Sequence, residues 1–219
     1  MRFGKKWQFA IKCMKYSYNL KLNLICAGVM LALGLFYEII DLGNGMGGFI
    51  LLVVSMYPVQ ILYSVCGSQL VQSSPYKKAL MTSMPTILTL CSSILIYLLI
   101  VVIEGVRMVI KPETAGQGVS VILMSGMFLL FLDIYAGIVY KYFWISMVIM
   151  IVGTVGIYSN IGRYRLFMQL FSGCSLPVAI AAGLCLALLG SLLQYGISLL
   201  VYKKPVSKQA VYGMLRQKA

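Results

Sequence analysis

Apolar residues fill six long stretches of this sequence, and charged residues lie almost entirely in the segments between them. Each stretch approaches the roughly 20 residues that an α-helix needs to cross about 30 Å of hydrocarbon. Because backbone amides in lipid must pair within their own segment, each stretch is predicted to be a transmembrane helix. The predicted spans cover residues 23–40, 47–70, 86–110, 119–140, 143–159 and 177–202.

Residues 1–20 precede the first span and follow a different pattern. Their apolar positions recur every three or four residues, at Phe3, Trp7, Ile11, Met14 and Tyr18. This spacing places them on one face of a helix, with lysines and polar residues opposite. We predict an amphipathic helix in the membrane interface, with its rings in the acyl boundary and its lysines near phosphates. The alternative is a positive anchor that only fixes topology. The interrupting lysines argue against a cleaved signal peptide.

Composition agrees with lipid as the main solvent. The chain has 219 residues, of which 61% are hydrophobic and 11% are charged, and its mean hydropathy is +0.93. A soluble domain carries about 25% charged residues, because its surface must be solvated. We therefore expect an all-α polytopic membrane protein with one domain. Its parts are an interfacial helix at 1–20, a six-helix bundle at 23–202 and a basic tail at 203–219.

The distribution of basic residues predicts the orientation. The net charge of +13 comes from 18 basic and 5 acidic residues. If the N-terminus is cytoplasmic, fourteen basic residues lie on the inner side and three in outer loops. Such an excess marks the cytoplasmic side of a membrane protein. Both termini are therefore predicted to be cytoplasmic, and the positive charge is explained by topology and anionic lipid rather than by nucleic acid.

Several kinds of chemistry are excluded by composition. The chain has no histidine, so it has no histidine-based triad, HExxH zinc site or histidine proton relay. It also lacks a GxxxxGK[ST] nucleotide loop and the paired aspartates of a headgroup transferase. Six cysteines without a CxxC spacing predict no disulfide or metal framework. We expect no enzymatic activity and no cofactor in this chain, with a membrane enzyme as a remote alternative.

Ionisable residues inside spans are candidates for function, because a charge in hydrocarbon costs at least about 2.5–3.5 kcal/mol on insertion scales. Asp133 lies about two helical turns before the inner end of the fourth span. It either lines a pathway or subunit interface, or bonds neighbouring hydroxyls and only locks helix packing. Gln60 follows Pro58 on a modestly polar stripe of the second span, for which packing and pathway roles also stay open.

Two further acids, Glu38 and Glu104, lie near the outer ends of the first and third spans. Glu104 and Arg107 are three residues apart on the third span and can pair on one helix face. Their position favours side chains that snorkel to the interface. We also hypothesise that Glu38 or Glu104 meets an arginine of the outer segment, at Arg163 or Arg165.

Two connecting segments are unlike simple turns. The inner segment 71–85 is polar, with a predicted short helix over 76–84 that Pro85 ends. The outer segment 160–175 has an apolar side and a polar side but is too short to span. It is predicted to be interfacial or re-entrant.

This layout, with the stretch Leu70-Val-Gln-Ser-Ser-Pro-Tyr-Lys-Lys-Ala-Leu-Met-Thr-Ser-Met-Pro85 after the second span, resembles the ABC-2 type permease family. These are membrane subunits of ATP-binding-cassette exporters, and small ones include bacterial exporters of peptides, bacteriocins and toxins. The resemblance implies an exporter subunit in a bacterial plasma membrane that moves an amphipathic or hydrophobic substrate, with peptide favoured. The alternative is a secondary transporter or channel subunit.

The resemblance also implies partners and site residues. ATP and magnesium would bind a separate ATPase subunit, and a second permease copy or a paralogue would complete the pathway. The residues implied in ATPase coupling are Trp7, Ser73, Ser74, Pro75, Tyr76, Lys77 and Lys78. The outer segment would be a gate helix, represented by Arg163, Arg165 and Phe167.

Overall fold

A computed structural model of the chain describes residues 3–17, 20–40, 46–66, 68–161, 174–204 and 207. These residues form ten α-helices and one 3₁₀ turn, with no strand among them. The all-α class is therefore confirmed. The helices are α1 (Phe3–Met14), α2 (Leu20–Ile40), α3 (Met46–Val54), α4 (Tyr57–Cys66), α5 (Gln69–Ser73), α6 (Lys77–Met81), α7 (Ser83–Ile110), α8 (Ala115–Ile138), α9 (Phe143–Ile161) and α10 (Leu176–Val201), and the 3₁₀ turn is Pro112–Thr114.

Five helical segments of the described chain are long and apolar enough to cross a membrane. They are Leu20–Ile40, Gly47–Cys66, Lys77–Ile110, Pro112–Ile138 and Leu176–Val201. A sixth apolar helix, Phe143–Gly153, is shorter and belongs to α9. Every predicted span is thus helical, five segments have the length to cross a membrane, and the sixth span stays a prediction.

The helices place polar side chains inside and apolar ones outside. Glu104, Asp133 and Gln194 are fully buried, whereas large aliphatic side chains on α2, α7, α9 and α10 are exposed. Water would favour the opposite arrangement, because exposed apolar area is unfavourable in it. Lipid removes that penalty, so this distribution is that of a helical membrane protein.

The second predicted span is interrupted. α3 ends at Val54, and α4 begins at Tyr57 with Pro58 in its first turn. Proline has no N–H to donate to the carbonyl four residues earlier, which is that of Val54, so a continuous helix is broken here. The carbonyl of Ser55, inside the break, accepts a 2.7 Å hydrogen bond from the Ser92 hydroxyl of α7. The break is therefore stabilised by a neighbouring helix.

The predicted helix over 76–84 is shorter in the structure, and its end has a different cause. α6 ends at Met81, and Thr82 has backbone angles outside the helical region (φ −126°, ψ −84°). Pro85 lies in the first turn of α7, where its missing N–H removes no intrahelical bond. The prediction that Pro85 ends the short helix was therefore wrong.

Small residues bring α8 and α10 into backbone contact. A Cβ added to Gly126 would lie 2.5 Å from the Cα of Gly183. One added to Gly190 would lie 2.9 Å from the Cα of Leu130. Small residues are typical of such close contacts between membrane helices, and here they join the last span to α8 of the same chain.

Candidate functional site

Three groups of polar residues stand out: a buried cluster between α7, α8 and α10, an ionic cluster between α2 and α7, and a surface formed by α1, α5 and α6. The buried cluster contains six residues that are at most 3% exposed. They are Thr89, Ser93, Asp133, Ser191, Gln194 and Ser198. All six residues belong to α7, α8 and α10, which are long and apolar enough to cross a membrane.

The cluster is only partly hydrogen-bonded. Ser191 Oγ donates to Asp133 Oδ2 at 3.0 Å, and Gln194 Nε2 donates to Thr89 Oγ1 at 2.8 Å. Among the described residues, four buried oxygen atoms of the cluster make no hydrogen bond of good geometry: Ser93 Oγ, Asp133 Oδ1, Gln194 Oε1 and Ser198 Oγ. Two of the serines nevertheless have a polar neighbour, since Ser93 lies beside Asp133 and Ser198 beside Tyr63. Native proteins leave few buried polar atoms unsatisfied, and such atoms call for an explanation. The carboxyl of Asp133 also has no basic partner within ion-pair distance among the described residues.

The structure gives Asp133 a packing contact, because its bond to Ser191 links α8 to α10. The alternative role, in a pathway or subunit interface, stays a prediction. Gln60 does not belong to this cluster, because its side chain on α4 is exposed.

The ionic cluster lies at the other end of α7. Arg107 donates to Glu104 Oε1 at 2.7 Å and to the backbone carbonyl of Glu38 at 2.6 Å, and the Glu38 carboxylate is 3.4 Å away. The predicted pairing of Glu104 with Arg107 is confirmed. The expected snorkelling is wrong, because Glu104 is fully buried and Arg107 is only 9% exposed.

This cluster connects two helices that are distant in sequence. It pairs one guanidinium with two carboxylates, and Glu104 Oε2 has no hydrogen-bond partner. Glu38 and Glu104 therefore meet Arg107 of α7. The arginines proposed as partners, Arg163 and Arg165, lie outside the described residues, as does the predicted gate residue Phe167.

The third group is the surface that the resemblance associates with coupling. α6 is anchored by Leu80 and Met81, which are 2% and 4% exposed. Gln72 fastens the preceding turn by donating to the carbonyl of Cys66 at 2.7 Å. One side of this short segment is therefore held against the bundle.

The opposite side of the segment is accessible. Ser73, Pro75, Tyr76 and Lys78 are exposed, and Ser74 and Lys77 are half-buried. The Lys78 ammonium lies 5.8 Å from the ring centre of Tyr202, which follows α10. The predicted coupling residues 73–78 are thus contiguous in space as well as in sequence.

The N-terminal helix braces this surface. Phe9 packs on Tyr76 with ring centres 5.3 Å apart, and Ser17 bonds Ser64 of α4 at 2.5 Å. The polar face predicted from the sequence is exposed at Gln8, Lys12 and Lys15. Trp7 lies in the same helix.

Sequence reasoning missed the side of α1 that contacts the bundle. That side contains Phe9, Ala10 and Cys13, and Met14 of the predicted apolar face also packs on the core, while Ile11 of that face is 39% exposed. Ala10 and Cys13 carry little hydrophobic signal, so periodicity favoured the bulkier neighbouring face.

Lys141 joins the same end of the bundle to the chain after α10. Its ammonium donates to the carbonyl of Lys204, and it lies 4.0 Å from the sulfur of Met81. Burial, together with the nearby charge of Lys77, lowers the pKa of Lys141 to about 8. Lys141 is one of the fourteen basic residues counted for the predicted inner side, and it also links α6 to the segment after α10.

Polar periodicity could have revealed the rest of the buried cluster. Thr89 and Ser93 are four residues apart, and Ser191, Gln194 and Ser198 follow at steps of three and four. Each set lies on one helix face of an otherwise apolar span.

No family model, curated protein or solved structure matches this chain, so its function is inferred from its own residues and geometry.

Proposed function

We propose that this chain is the membrane-spanning permease subunit of an ATP-binding-cassette exporter. It would have six spans, both termini in the cytoplasm of a bacterial cell, and a second permease copy or paralogue beside it. The substrate class would be amphipathic or hydrophobic, with peptide favoured. The energy would come from a separate ATPase subunit that binds ATP and magnesium, because this chain has no nucleotide loop of its own.

The observation that carries the proposal is the geometry of α6 and its flanking turn. One side of this segment is fixed by Leu80 and Met81, and the other exposes Pro75, Tyr76 and Lys78. A partner that binds the exposed side can push on α7, because α6 is joined to it through Thr82 alone. Such a rigid-body movement is a common way to transmit a conformational change.

The bracing by α1 supports the same function. The ring contact of Phe9 with Tyr76 joins α1 to the exposed turn, and Lys12 of α1 is exposed. A surface that combines an aromatic side chain, a proline and lysines suits a protein partner better than lipid alone, because aromatic residues are enriched at protein interfaces.

The proposal is tested by purifying the tagged chain in mild detergent with its neighbours. We expect a stoichiometric ATP-binding protein whose hydrolysis is inhibited by vanadate. Replacing Lys77 and Lys78 with Glu should weaken that complex at least tenfold, because it reverses two charges in the exposed segment. The amount of co-purified ATPase measures the effect.

A matched control changes the same total charge elsewhere on the same predicted side. Lys21 and Lys203 are exposed and lie outside the patch, so Lys21→Glu with Lys203→Glu should leave the complex intact. If no ATPase co-purifies with a folded chain, or if both double variants lose it equally, coupling through α6 is refuted. A secondary transporter or channel would then be the better proposal.

A further inference from the structure

Among the residues that the structure describes, Asp133 is a buried carboxyl group without a counter-charge. Its side-chain neighbours on α7 and α10 are the uncharged residues Ser93 and Ser191. Lys141, about two turns further along the chain, is bonded to the carbonyl of Lys204 instead. An ionised carboxylate in such a place is very unfavourable unless it is paired.

The unsatisfied atoms around Asp133 suggest how the charge is removed. Ser93 of α7 lies beside the Asp133 carboxyl, whose Oδ1 makes no other hydrogen bond among the described residues. The Ser93 hydroxyl can donate to an ionised carboxylate, but that bond leaves the full charge buried. When Oδ1 carries a proton, it donates to Ser93 Oγ instead and the charge is removed. Asp133 Oδ2 is already occupied by the donor Ser191, which leaves Oδ1 as the atom to be protonated.

We propose that Asp133 is a proton-binding site within the membrane, with its proton on Oδ1 donated to Ser93 Oγ. The ligand is a proton rather than a metal cation, because one proton neutralises the buried carboxylate and needs no cavity. The close contact of α8 with α10 leaves little room for an ion: a Cβ added to Gly190 would lie 2.9 Å from Asp133 Oδ2.

The site would respond to helix movement. The carboxyl belongs to α8 and the proton acceptor to α7, while Ser191 on α10 holds the other oxygen. If α7 separates from α8, the acceptor is lost, water reaches the carboxyl, and the proton is released. This goes beyond the proposed function, because an ATP-driven permease does not require a proton site, and it holds for any transport mechanism that moves these helices.

The sequence offers a selective spectroscopic test, because Asp41 and Asp133 are its only aspartates. The full chain would be made by cell-free synthesis with aspartate carrying ¹³C at the side-chain carboxyl and placed in lipid nanodiscs. Its infrared spectrum at neutral pH should contain an isotope-shifted band of a protonated carboxyl. We expect Asp133→Asn to abolish this band and Asp41→Asn to retain it.

Ser93→Ala provides a second measurement that depends on the proposed bond. Removing the acceptor should shift the protonated-carboxyl band to higher frequency without removing Asp133. If both aspartates of the unmodified protein are ionised, the proposal is wrong. If the carboxylate band of Asp133 is present and responds to NaCl but not to choline chloride, the site binds sodium and the proton proposal is equally refuted. The spectrum of the unmodified protein decides this even if a variant does not fold.

Discussion

Arg107 neutralises one of two carboxylates that approach it, and this imbalance determines how its cluster responds to mutation. Arg107→Gln would leave Glu38 and Glu104 buried without a cation. Removing one partner of a buried pair costs about 3–5 kcal/mol. We expect Arg107→Gln to lower the free energy of unfolding by that amount, measured by denaturant unfolding in detergent.

Glu104→Gln is the matched comparison at the same site. Glu104→Gln leaves one guanidinium with one carboxylate, and the new amide oxygen can still accept a hydrogen bond from Arg107. We therefore expect a much smaller loss in the free energy of unfolding. The double variant Glu104→Gln with Arg107→Gln should be more stable than Arg107→Gln alone. Equal stabilities of Arg107→Gln and Glu104→Gln would show that the imbalance is unimportant.

Lys141 predicts a pH dependence of stability. Its pKa is lowered to about 8 from an ordinary value of 10.5. Between these values the unfolded chain holds a proton that the folded chain has lost, so the free energy of unfolding should rise with pH over this window. The midpoint of thermal unfolding, measured from pH 7 to pH 10, should therefore increase.

Two variants isolate the contribution of Lys141. Lys141→Met should remove the increase, since no group is left to titrate there. Lys77→Gln should move its onset to higher pH, because the neighbouring positive charge that lowers the pKa of Lys141 is gone. An increase that persists unchanged in Lys141→Met would assign it to other groups.

Among the elements, α8 and α10 are held together by shape rather than by large side chains. A methyl group on Gly126 would collide with the backbone of Gly183, which cannot move aside as a side chain can. We expect Gly126→Ala to reduce the free energy of unfolding by about 1–3 kcal/mol, the usual cost of overpacking.

Gly105 supplies the control, since it is also inside a helix but has open space at the position that an added Cβ would occupy. Gly105→Ala should stabilise the protein by up to about 1 kcal/mol, because alanine has the higher helix propensity. A comparable loss of stability in both variants would mean that helix contact is not what Gly126 provides.

The sequence predicted these helices well and their contacts poorly. Hydrophobic length predicted the outer ends of the long helices to within about four residues, because lipid imposes it directly, but it did not predict that the second span is two helices. The contacts among Ser93, Asp133 and Ser191, in contrast, depend on how three helices rotate about their axes. A span that is apolar on all sides does not show which of its faces turns toward its neighbours. Only the polar positions on α7 and α10 could therefore have indicated which faces of these helices meet at the buried cluster.

For the whole molecule, the sequence likewise predicts the topology but not the contacts on which the proposed mechanism depends. Charge counting predicts which side residues 73–78 lie on, and the resemblance supplies a reason for their exposure. The anchoring of α6 by Leu80, the bracing by Phe9 and the link from Lys141 to Lys204 required the three-dimensional arrangement. Each joins elements that are far apart in sequence, which a local pattern cannot reveal.

The hydroxyl of Ser92 lies within hydrogen-bond distance of the carbonyls of Leu88 and Thr89 in its own helix as well as of the carbonyl of Ser55. Backbone hydrogen bonds from Ser55 to Leu52 and from Met56 to Val53 also cross the interruption of the second span. A small displacement of α7 from this interruption would therefore exchange the Ser92 bond for one within α7 rather than lose it.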